Sequence, residues 1–401
     1  MTIDSTHNYV RECRGNGNGR KREDIGGMTA SRTKSSNRGG QSSEQQAIAA
    51  GRRSGGIMSL GIDKATLRTY YLELLQDLSF TNTRESCYPD PESVGVISAA
   101  LSSLCGSYVH ARMINLSASA SQLCYKLHPM DIRTKIAHFI ALTLTVDDLS
   151  ESLRGEARRR FLEDLAFFQM KFTDPAVYAK LCPGRGELHP SLEDFIAHLK
   201  SEQSPFFPWD IRLHAMLVKC VLDFVEANQV EQHYAEHPLV YTLDMPYFPT
   251  FLRHKAGMSE GSAYFSFILD SSVQDAPRDD RLFFHRALYP MIPDLVEFME
   301  LLNDVLSFYR EAETGDSTMW VLNQAKAHGL TPLQVLRQSA KAAIQVKKRL
   351  MASVDRSSSV ELKEKLVQFC EGYVAWHVGD KRYRLDEVLG TGGWYQGGFW
   401  K

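Results

Sequence analysis

No stretch of this sequence stays apolar for long enough to cross a bilayer, and its first residues lack the apolar core of a secretory signal. The seven cysteines, an odd number, form neither a CxxC pair nor a zinc-type spacing, which indicates free thiols in a reducing compartment. HExxH and P-loop motifs are missing too. These absences argue against a membrane span, a disulfide framework and a zinc protease, and they predict a cytoplasmic protein.

The chain also carries almost no excess of charge of either sign, because 46 basic and 48 acidic side chains leave a formal net charge of −2. A balanced chain gives no electrostatic reason to bind nucleic acid or a membrane surface. The basic residues of 1–58 stand among Gly, Ser and Asn with almost no aromatic side chain. Such a composition buries too little apolar surface to fold, so we predict a disordered basic tail there.

The rest of the chain lacks strand signals, since no apolar–polar alternation is sustained and no Asn-Gly turn joins two such runs. Apolar residues recur instead at helical spacing, as at Leu67, Tyr70 and Leu74. We predict an all-α fold with one domain at 59–390 and a Gly/Trp-rich tail at 391–401. Helices are expected from about 64, twice within 91–125, and at 131–145, 210–235, 263–269, 282–312, 317–328, 332–354 and 358–380, with a surface loop at 271–281.

An apolar helix at 300–311 carries three oxygen-bearing side chains on one stripe. Asn303, Ser307 and Glu311 are four residues apart, so each lies only about 40° around the helix from the one before. Amide, hydroxyl and carboxylate oxygens are hard ligands of the kind that Mg²⁺ takes. Two interpretations stay open for this stripe alone: half of a metal site, or a polar seam satisfied by neighbouring helices.

A second apolar helix, at 136–146, is predicted to end in an acidic motif formed by Asp147, Asp148 and Glu151. Carboxylates at this end of a helix face the negative pole of its dipole and repel each other, and cations would relieve both effects. A plain polar helix exit is the alternative. Taken together, however, the two motifs are what a multinuclear Mg²⁺ site for a pyrophosphate needs, because substrate phosphates normally complete the Mg²⁺ shell.

Such a site also needs basic side chains and, for cation chemistry, an apolar pocket. Arg310 lies within the first of these helices, Arg253 follows a proline-bounded loop, and Arg382 follows another apolar helix. That third helix carries Tyr373 and Trp376 one turn apart. Aromatic faces stabilise a carbocation without attacking it, although ordinary core packing is an equally good interpretation of each ring separately.

Three strings resemble fungal class I sesquiterpene cyclases of the trichodiene synthase type, a group that includes longiborneol synthase. The DDLSE string at 147–151 resembles their aspartate-rich motif, and the NDVLSFYRE string at 303–311 resembles their second metal motif. The GYVAWHVGDKRYRLDE string at 372–387 is similar over its whole length. The resemblance covers roughly 65–390, and the two metal motifs occur in the family's order.

The resemblance implies a single α-helical cyclase that ionises farnesyl diphosphate with three Mg²⁺ ions and then cyclises the cation. A trichodiene-like or longiborneol-like product and a homodimer are implied as well. The metal ligands carried over from the family are Asp147, Glu151, Asn303, Ser307 and Glu311. The residues carried over as diphosphate contacts are Arg253, Arg310, Arg382 and Tyr383.

The resemblance also assigns roles within these sets. Asp147, Arg382 and Tyr383 would take part directly in catalysis. Asp148 would stand behind the metal site and pair with Arg382 as the site closes, while Tyr373 and Trp376 would line the pocket. Three departures from the family are visible: Glu151 stands where an aspartate is expected, 271–281 looks like an insertion, and a Gly/Trp-rich stretch follows soon after Arg384.

Two other functions are alternatives to a cyclase. A chain-elongating prenyl transferase usually carries two aspartate-rich motifs, whereas the second motif here is of the Asn/Ser/Glu type. A non-catalytic helical binding protein would use the same fold without the chemistry, but complete ligand motifs argue against such a loss.

Overall fold

Every regular element of the described chain is helical, which confirms the predicted all-α class. The computed structural model describes residues 56–80, 88–206, 210–237, 243–268, 284–316, 318–357 and 359–390. The α-helices are, in chain order, α1 Lys64–Asp77, α2 Pro91–Leu104, α3 Ala111–Cys124, α4 Met130–Ser152, α5 Gly155–Thr173, α6 Pro175–Leu181, α7 Pro190–Leu199, α8 Ile211–Glu236, α9 Phe248–Ala256, α10 Ser259–Phe265, α11 Ile292–Thr314, α12 Trp320–His328, α13 Pro332–Ser357, α14 Val360–Gly379 and α15 Asp386–Leu389. Short helical turns lie at Ile57–Leu60, Phe284–Leu288 and Tyr289–Met291.

The predicted tails fall mostly outside the described residues, which begin at 56 and end at 390, and so does the predicted loop at 271–281. Ile57, within the predicted N-terminal tail, is described and is only 1% exposed. All described residues belong to one compact unit. Among its helices, none is both long and apolar enough to cross a membrane.

Several helices begin where the sequence supplies a capping side chain. Asp63 accepts a hydrogen bond from a backbone N–H in the first turn of α1, and Asp90 does the same for α2. Ser359 caps α14 in this way. Pro91 follows Asp90 at the start of α2, a position where proline loses no helical hydrogen bond. Local chemistry therefore sets these helix starts.

The structure corrects the predicted end of the helix at 136–146. α4 continues to Ser152 and ends only at Leu153, whose backbone is extended. The reason is that 147–152 contains neither proline nor glycine, so nothing in the motif interrupts the hydrogen-bond ladder. Asp147 and Glu151 therefore project from a regular helix, one turn apart, instead of from a loop that follows it.

The surroundings of Arg253 also differ from the prediction. Pro249 lies in the first turn of α9 and initiates that helix, so Arg253 stands on a helix and not after a loop. The helix predicted at 263–269 is found at 259–265 as α10. A proline in the sequence marked a boundary correctly, but the structure places that boundary at the start of a helix.

Helices α5, α6 and α7 were not predicted. α5 is densely charged, yet Phe161, Leu165 and Phe168 recur at helical spacing and are at most 3% exposed. α7 packs against α4, where Phe195 lies against Phe139 and His198 against His138.

The two helices that carry the oxygen-bearing motifs run through the interior. α4 packs against α2, α3 and α7, and α11 packs against α10, α13 and α14. On α11, Leu302, Val305 and Phe308 are fully buried, and each such side chain contributes about 1.5–3 kcal/mol of burial energy. This packing fixes the rotation of α11 about its axis and thereby decides which stripe faces inward.

Candidate active site

A cavity of about 270 Å³ opens between the helices that bear the predicted site residues. This volume is many times the roughly 30 Å³ of a water molecule, so the cavity is sized for an organic ligand. Helices α3, α4, α8, α9, α11 and α14 all contribute to its wall. Part of the wall is oxygen-rich and basic, and the rest is apolar and aromatic.

Asn303, Ser307 and Glu311 of α11 all line this cavity. Ser307 is 1% exposed, and its hydroxyl oxygen makes no hydrogen bond of accepted geometry with the described residues. An unpaired buried hydroxyl costs about 1–3 kcal/mol. At Ser307, an oxygen without a partner beside a cavity fits a ligand position better than it fits a seam satisfied by neighbouring helices.

The acidic motif of α4 faces the same cavity through Asp147 and Glu151. Asp148 is directed to Arg382, whose Nη1 lies 3.3 Å from Asp148 Oδ1. Arg382 Nη2 lies 3.8 Å from Asp147 Oδ2, and Arg382 itself is on the cavity wall. Asp148 and Arg382 therefore form an ion pair in this structure, and Arg382 also lines the cavity. That the pair forms as the site closes stays a prediction.

Arg253 is held against α11 by two hydrogen bonds. Its Nε donates to Asp304 Oδ1 at 2.8 Å, and its Nη2 donates to Asn303 Oδ1 at 2.9 Å. The guanidinium of Arg310 lies 3.2 Å from the Glu311 carboxylate. The residues predicted to contact a diphosphate all line the cavity: Arg253, Arg310, Arg382 and Tyr383.

The carboxylates at the oxygen-rich end of the cavity raise one another's pKa values. Burial, followed by repulsion from Asp147, raises the pKa of Glu151 to about 7 and that of Glu231 to about 8. Burial also raises the pKa of Glu311, although Arg310 and, more weakly, the nearby Ser307 oppose the rise. A cation bound at this end would relieve this repulsion, because it favours the ionised form of each carboxylate.

The oxygen donors present suit Mg²⁺. Asp147 and Glu151 offer carboxylates from α4, while Asn303, Ser307 and Glu311 offer three kinds of oxygen from α11. In the described part of the chain, no three His, Cys, Asp or Glu side chains form a self-sufficient metal site. Mg²⁺ keeps several waters and is usually completed by substrate phosphates, so a partial set of protein ligands is sufficient for it.

The remaining cavity wall is apolar and includes both predicted aromatic residues, Tyr373 and Trp376, whose ring centroids are 6.1 Å apart. The hydroxyl of Tyr373 donates to the Met299 carbonyl at 3.1 Å, and that of Tyr125 donates to the Ser262 carbonyl at 2.8 Å. Since both hydroxyl protons are engaged by the backbone, these rings present mainly carbon surface to the cavity. Other apolar wall residues include Phe139, Phe224, Leu252 and Met299.

Sequence reasoning missed four residues at this site. Glu231, Asp304 and Asp316 line the cavity, and His377 lies behind Asn303. Glu231 follows Phe224, another cavity residue, by seven residues, or two helical turns, on α8, so the two share one face. The sequence alone singled out neither residue. Asp304 stands inside the recognised string at 303–311, but its pairing with Arg253 depends on tertiary packing.

The family model described as trichodiene synthase (TRI5) matches residues 109–394. The (E)-beta farnesene synthase of Metarhizium brunneum is 24% identical over 277 residues, which are 69% of this chain and 75% of that protein. Terpene synthase BipA of Cochliobolus sativus is 25% identical over 328 residues, covering 81% and 91% of the two chains.

Among solved structures, linalool/nerolidol synthase from Streptomyces clavuligerus, crystallised with 2-fluorogeranyl diphosphate, aligns with a TM-score of 0.51. The alignment covers 74% of this chain and 97% of that chain at 16% sequence identity. At this identity the likeness shows a shared fold.

Proposed function

Because this chain belongs to the trichodiene synthase family, we propose that it is a Mg²⁺-dependent sesquiterpene synthase that ionises farnesyl diphosphate and cyclises the resulting cation. Family membership confirms the resemblance seen in the motifs, and it makes the chain a terpene synthase, a carbon–oxygen lyase acting on phosphates. The substrate, the three Mg²⁺ ions and a trichodiene-like or longiborneol-like product are the finer parts of the proposal.

The observation that carries this proposal is the two-part wall of one cavity. Asp147 and Glu151 from α4 and Asn303 and Ser307 from α11 supply oxygen ligands to the same space that Tyr373 and other aromatic rings close with carbon surface. A prenyl diphosphate has the matching division, with a charged head that binds cations and an apolar tail. A simple structural seam would not need both halves.

We assign the binding of Mg²⁺ to Asp147, Glu151, Asn303, Ser307 and Glu311. When bound, Mg²⁺ neutralises the charge that develops on the diphosphate and so makes it a good leaving group.

The basic residues would bind and orient the diphosphate directly. Arg310 and Arg382 each lie beside a carboxylate of one motif, so each can bridge a metal ligand and a phosphate oxygen. Arg253 donates to two residues of α11 at once, which places its guanidinium next to the same head group. Tyr383 contributes a hydroxyl from the loop after α14.

The apolar part of the cavity would exclude water and stabilise the carbocation. Tyr373 and Trp376 offer π-faces, and a cation over such a face gains about 0.5–2 kcal/mol. The hydroxyl protons of Tyr125 and Tyr373 are committed to backbone carbonyls, whereas the indole N–H groups of Trp320 and Trp376 on the cavity wall have no hydrogen-bond partner among the described residues. The proposal therefore includes both a hydrocarbon and an alcohol product.

The test is gas chromatography–mass spectrometry of the purified chain incubated with farnesyl diphosphate, with and without Mg²⁺. We expect a Mg²⁺-dependent cyclic sesquiterpene. Asp147→Ala should lower turnover by about 100-fold or more, the scale of losing one stabiliser of transition-state charge, while its melting temperature stays close to that of the unchanged protein.

Other outcomes would contradict the proposal in distinct ways. A longer prenyl diphosphate formed with isopentenyl diphosphate would establish chain elongation instead of cyclisation. Intact farnesyl diphosphate after incubation of a well-folded sample with Mg²⁺ would favour a different prenyl substrate or a non-catalytic binding protein. Equal loss of folding and turnover in Asp147→Ala would favour a structural role for the acidic motif.

A further inference from the structure

The side-chain amide of Asn303 lies between Arg253 and His377, and each of these residues is compatible with only one of the two amide orientations. Its oxygen accepts a hydrogen bond from Arg253 Nη2 at 2.9 Å, and its nitrogen lies 3.0 Å from Nε2 of His377. Arginine has donors only, so the side facing Arg253 must be the amide oxygen. The side facing His377 is then the NH₂ group, which can only donate.

The hydrogen bonds of His377 lead to the same orientation of the Asn303 amide. Its Nδ1 lies 2.8 Å from the backbone carbonyl of Tyr373. A carbonyl can only accept, so Nδ1 carries the proton, and in a neutral imidazole Nε2 is then an acceptor. That acceptor requires the NH₂ of Asn303 as its donor.

We propose that His377 is a positioning residue that fixes the orientation of the Asn303 amide, with its oxygen toward Arg253 and its NH₂ group away from the bound metal. A flipped amide would present donors to a cation and could not ligate it. The inference rests on the proposed function in taking Asn303 as a Mg²⁺ ligand. It adds a residue that does not line the cavity.

The packing of His377 makes its own position rigid. The residue is fully buried on α14, and its ring lies 4.4 Å from that of Tyr373 and 4.3 Å from that of Tyr383, measured between centroids. The imidazole is therefore held between a pocket aromatic and a diphosphate-binding candidate. Through its bond to Asn303 it joins α14 to the metal stripe of α11, 74 residues earlier in the chain.

Three substitutions separate this role from plain core packing. His377→Phe keeps most of the volume and removes both hydrogen bonds. His377→Asn can still donate to the Tyr373 carbonyl but is too short to reach Asn303. His377→Gln carries an amide oxygen that reaches the place of Nε2, so it should restore the acceptor. His198→Phe, which removes a histidine that is 2% exposed and does not line the cavity, is the matched control.

The first measurement is isothermal titration calorimetry of Mg²⁺ in the presence of inorganic pyrophosphate, accompanied by thermal unfolding. We expect His377→Phe and His377→Asn to weaken Mg²⁺ binding by about 10- to 100-fold, as for other residues that orient a metal ligand. His377→Gln should recover most of the affinity. In turnover assays, the loss of activity in His377→Phe and His377→Asn should become smaller as the Mg²⁺ concentration is raised. A folding defect would not respond to Mg²⁺ in this way.

The outcomes are distinguishable from those of the proposed function. Mg²⁺ affinity in folded His377→Phe equal to that of the unchanged chain would overturn the inference, and so would a Gln variant as weak as the Phe variant. A chain that binds Mg²⁺ with pyrophosphate but does not react with farnesyl diphosphate would defeat only the proposed substrate. The calorimetric comparison would still decide the role of His377.

Discussion

At the scale of single residues, α11 places polar atoms where burial penalises them. Asn303 finds two partners, Arg253 and His377, whereas the Ser307 hydroxyl has no hydrogen bond within the described structure. Stability alone would favour an apolar residue at 307, because an unpaired buried hydroxyl contributes nothing favourable. A residue that costs stability and faces a cavity is typical of a functional position.

We predict that Ser307→Ala separates stability from function. Since the Ser307 hydroxyl loses only a contact with Glu311 that falls short of hydrogen-bond geometry, the free energy of unfolding should change by less than about 1 kcal/mol, or rise. Mg²⁺-dependent turnover should fall because a metal ligand is gone. Chemical denaturation and turnover at several Mg²⁺ concentrations measure the two effects.

Ser121→Ala is the matched control for this substitution. Ser121 is equally buried, does not line the cavity, and donates to the Arg133 carbonyl across two helices. Losing that bond should lower stability by about 0.5–1.5 kcal/mol and leave turnover of the folded protein unchanged. A larger stability loss in Ser307→Ala than in Ser121→Ala would show that the Ser307 hydroxyl has a structural partner.

At the scale of helices, the pocket aromatics depend on how closely α14 approaches α3. A Cβ atom added to Gly372 would lie 1.9 Å from the backbone oxygen of Leu123 and 2.5 Å from its carbonyl carbon. These are main-chain atoms that cannot rotate away, so the two helices touch backbone to backbone. Tyr373 follows Gly372 directly, and its ring position is set by this contact.

We predict that Gly372→Ala forces α14 and α3 apart and lowers the free energy of unfolding by at least about 1–3 kcal/mol, the usual cost of overpacking. The shift also moves Tyr373, so turnover of the folded fraction should fall. Gly95→Ala is the control: Gly95 lies within α2 with no atom within 4 Å of the added Cβ. That substitution should stabilise the protein by up to about 1 kcal/mol, because alanine favours a helix. Equal effects of the two substitutions in denaturant melts would disprove the close contact.

The sequence was informative where the signal is local and periodic. The stripe of Asn303, Ser307 and Glu311 followed from a spacing of four on an apolar helix, and the structure places all three on one cavity. The end of α4 was predicted too early, because two adjacent carboxylates were taken as an exit although no residue from 147 to 152 breaks a helix. Helix α5 was not predicted for a similar reason, because its many charged residues made its buried apolar face hard to recognise in the sequence.

Contacts between distant parts of the chain could not be predicted from local sequence patterns. The bond between Asn303 and His377 depends on how α11 and α14 are rotated against each other, and neither residue type indicates it. The same holds for Asp304 and Arg253, which are 51 residues apart. The resemblance to a family supplied roles for most of the cavity residues, and those roles, together with the homodimer, stay predictions.

At the scale of the whole molecule, burial of neutral histidines couples folding to pH. His138 and His198 are 5% and 2% exposed, and their Nδ1 atoms are 3.2 Å apart, so one must donate and the other accept. Burial lowers the pKa of His138 to about 4, although Asp194 opposes this, and burial with repulsion from His138, His214 and Lys135 lowers the pKa of His198 well below its ordinary value. Both shifts favour the neutral imidazoles, so the folded chain binds fewer protons at these two residues than the unfolded chain does at acidic pH.

We predict that acid destabilises the fold in a defined window. Above about pH 6.5 both native and unfolded histidines are neutral, so their contribution to stability is fully present. As pH falls from about 6.5 to 4, these histidines bind protons in the unfolded chain but stay neutral in the native chain, so the free energy of unfolding decreases. His138 alone accounts for roughly 3 kcal/mol of this loss at pH 4, at 1.4 kcal/mol per pKa unit.

Equilibrium denaturation between pH 8 and pH 4 measures this loss in the unchanged chain and in the double variant His138→Phe/His198→Phe. Replacing both residues leaves neither without its partner, so the variant should lose clearly less stability between pH 6.5 and 4 than the unchanged chain, whatever its stability at pH 8. His110→Phe, at an exposed position, should retain the original slope. If the double variant instead follows the unchanged chain through the whole window, the acid sensitivity arises elsewhere, and the buried pair is not its source.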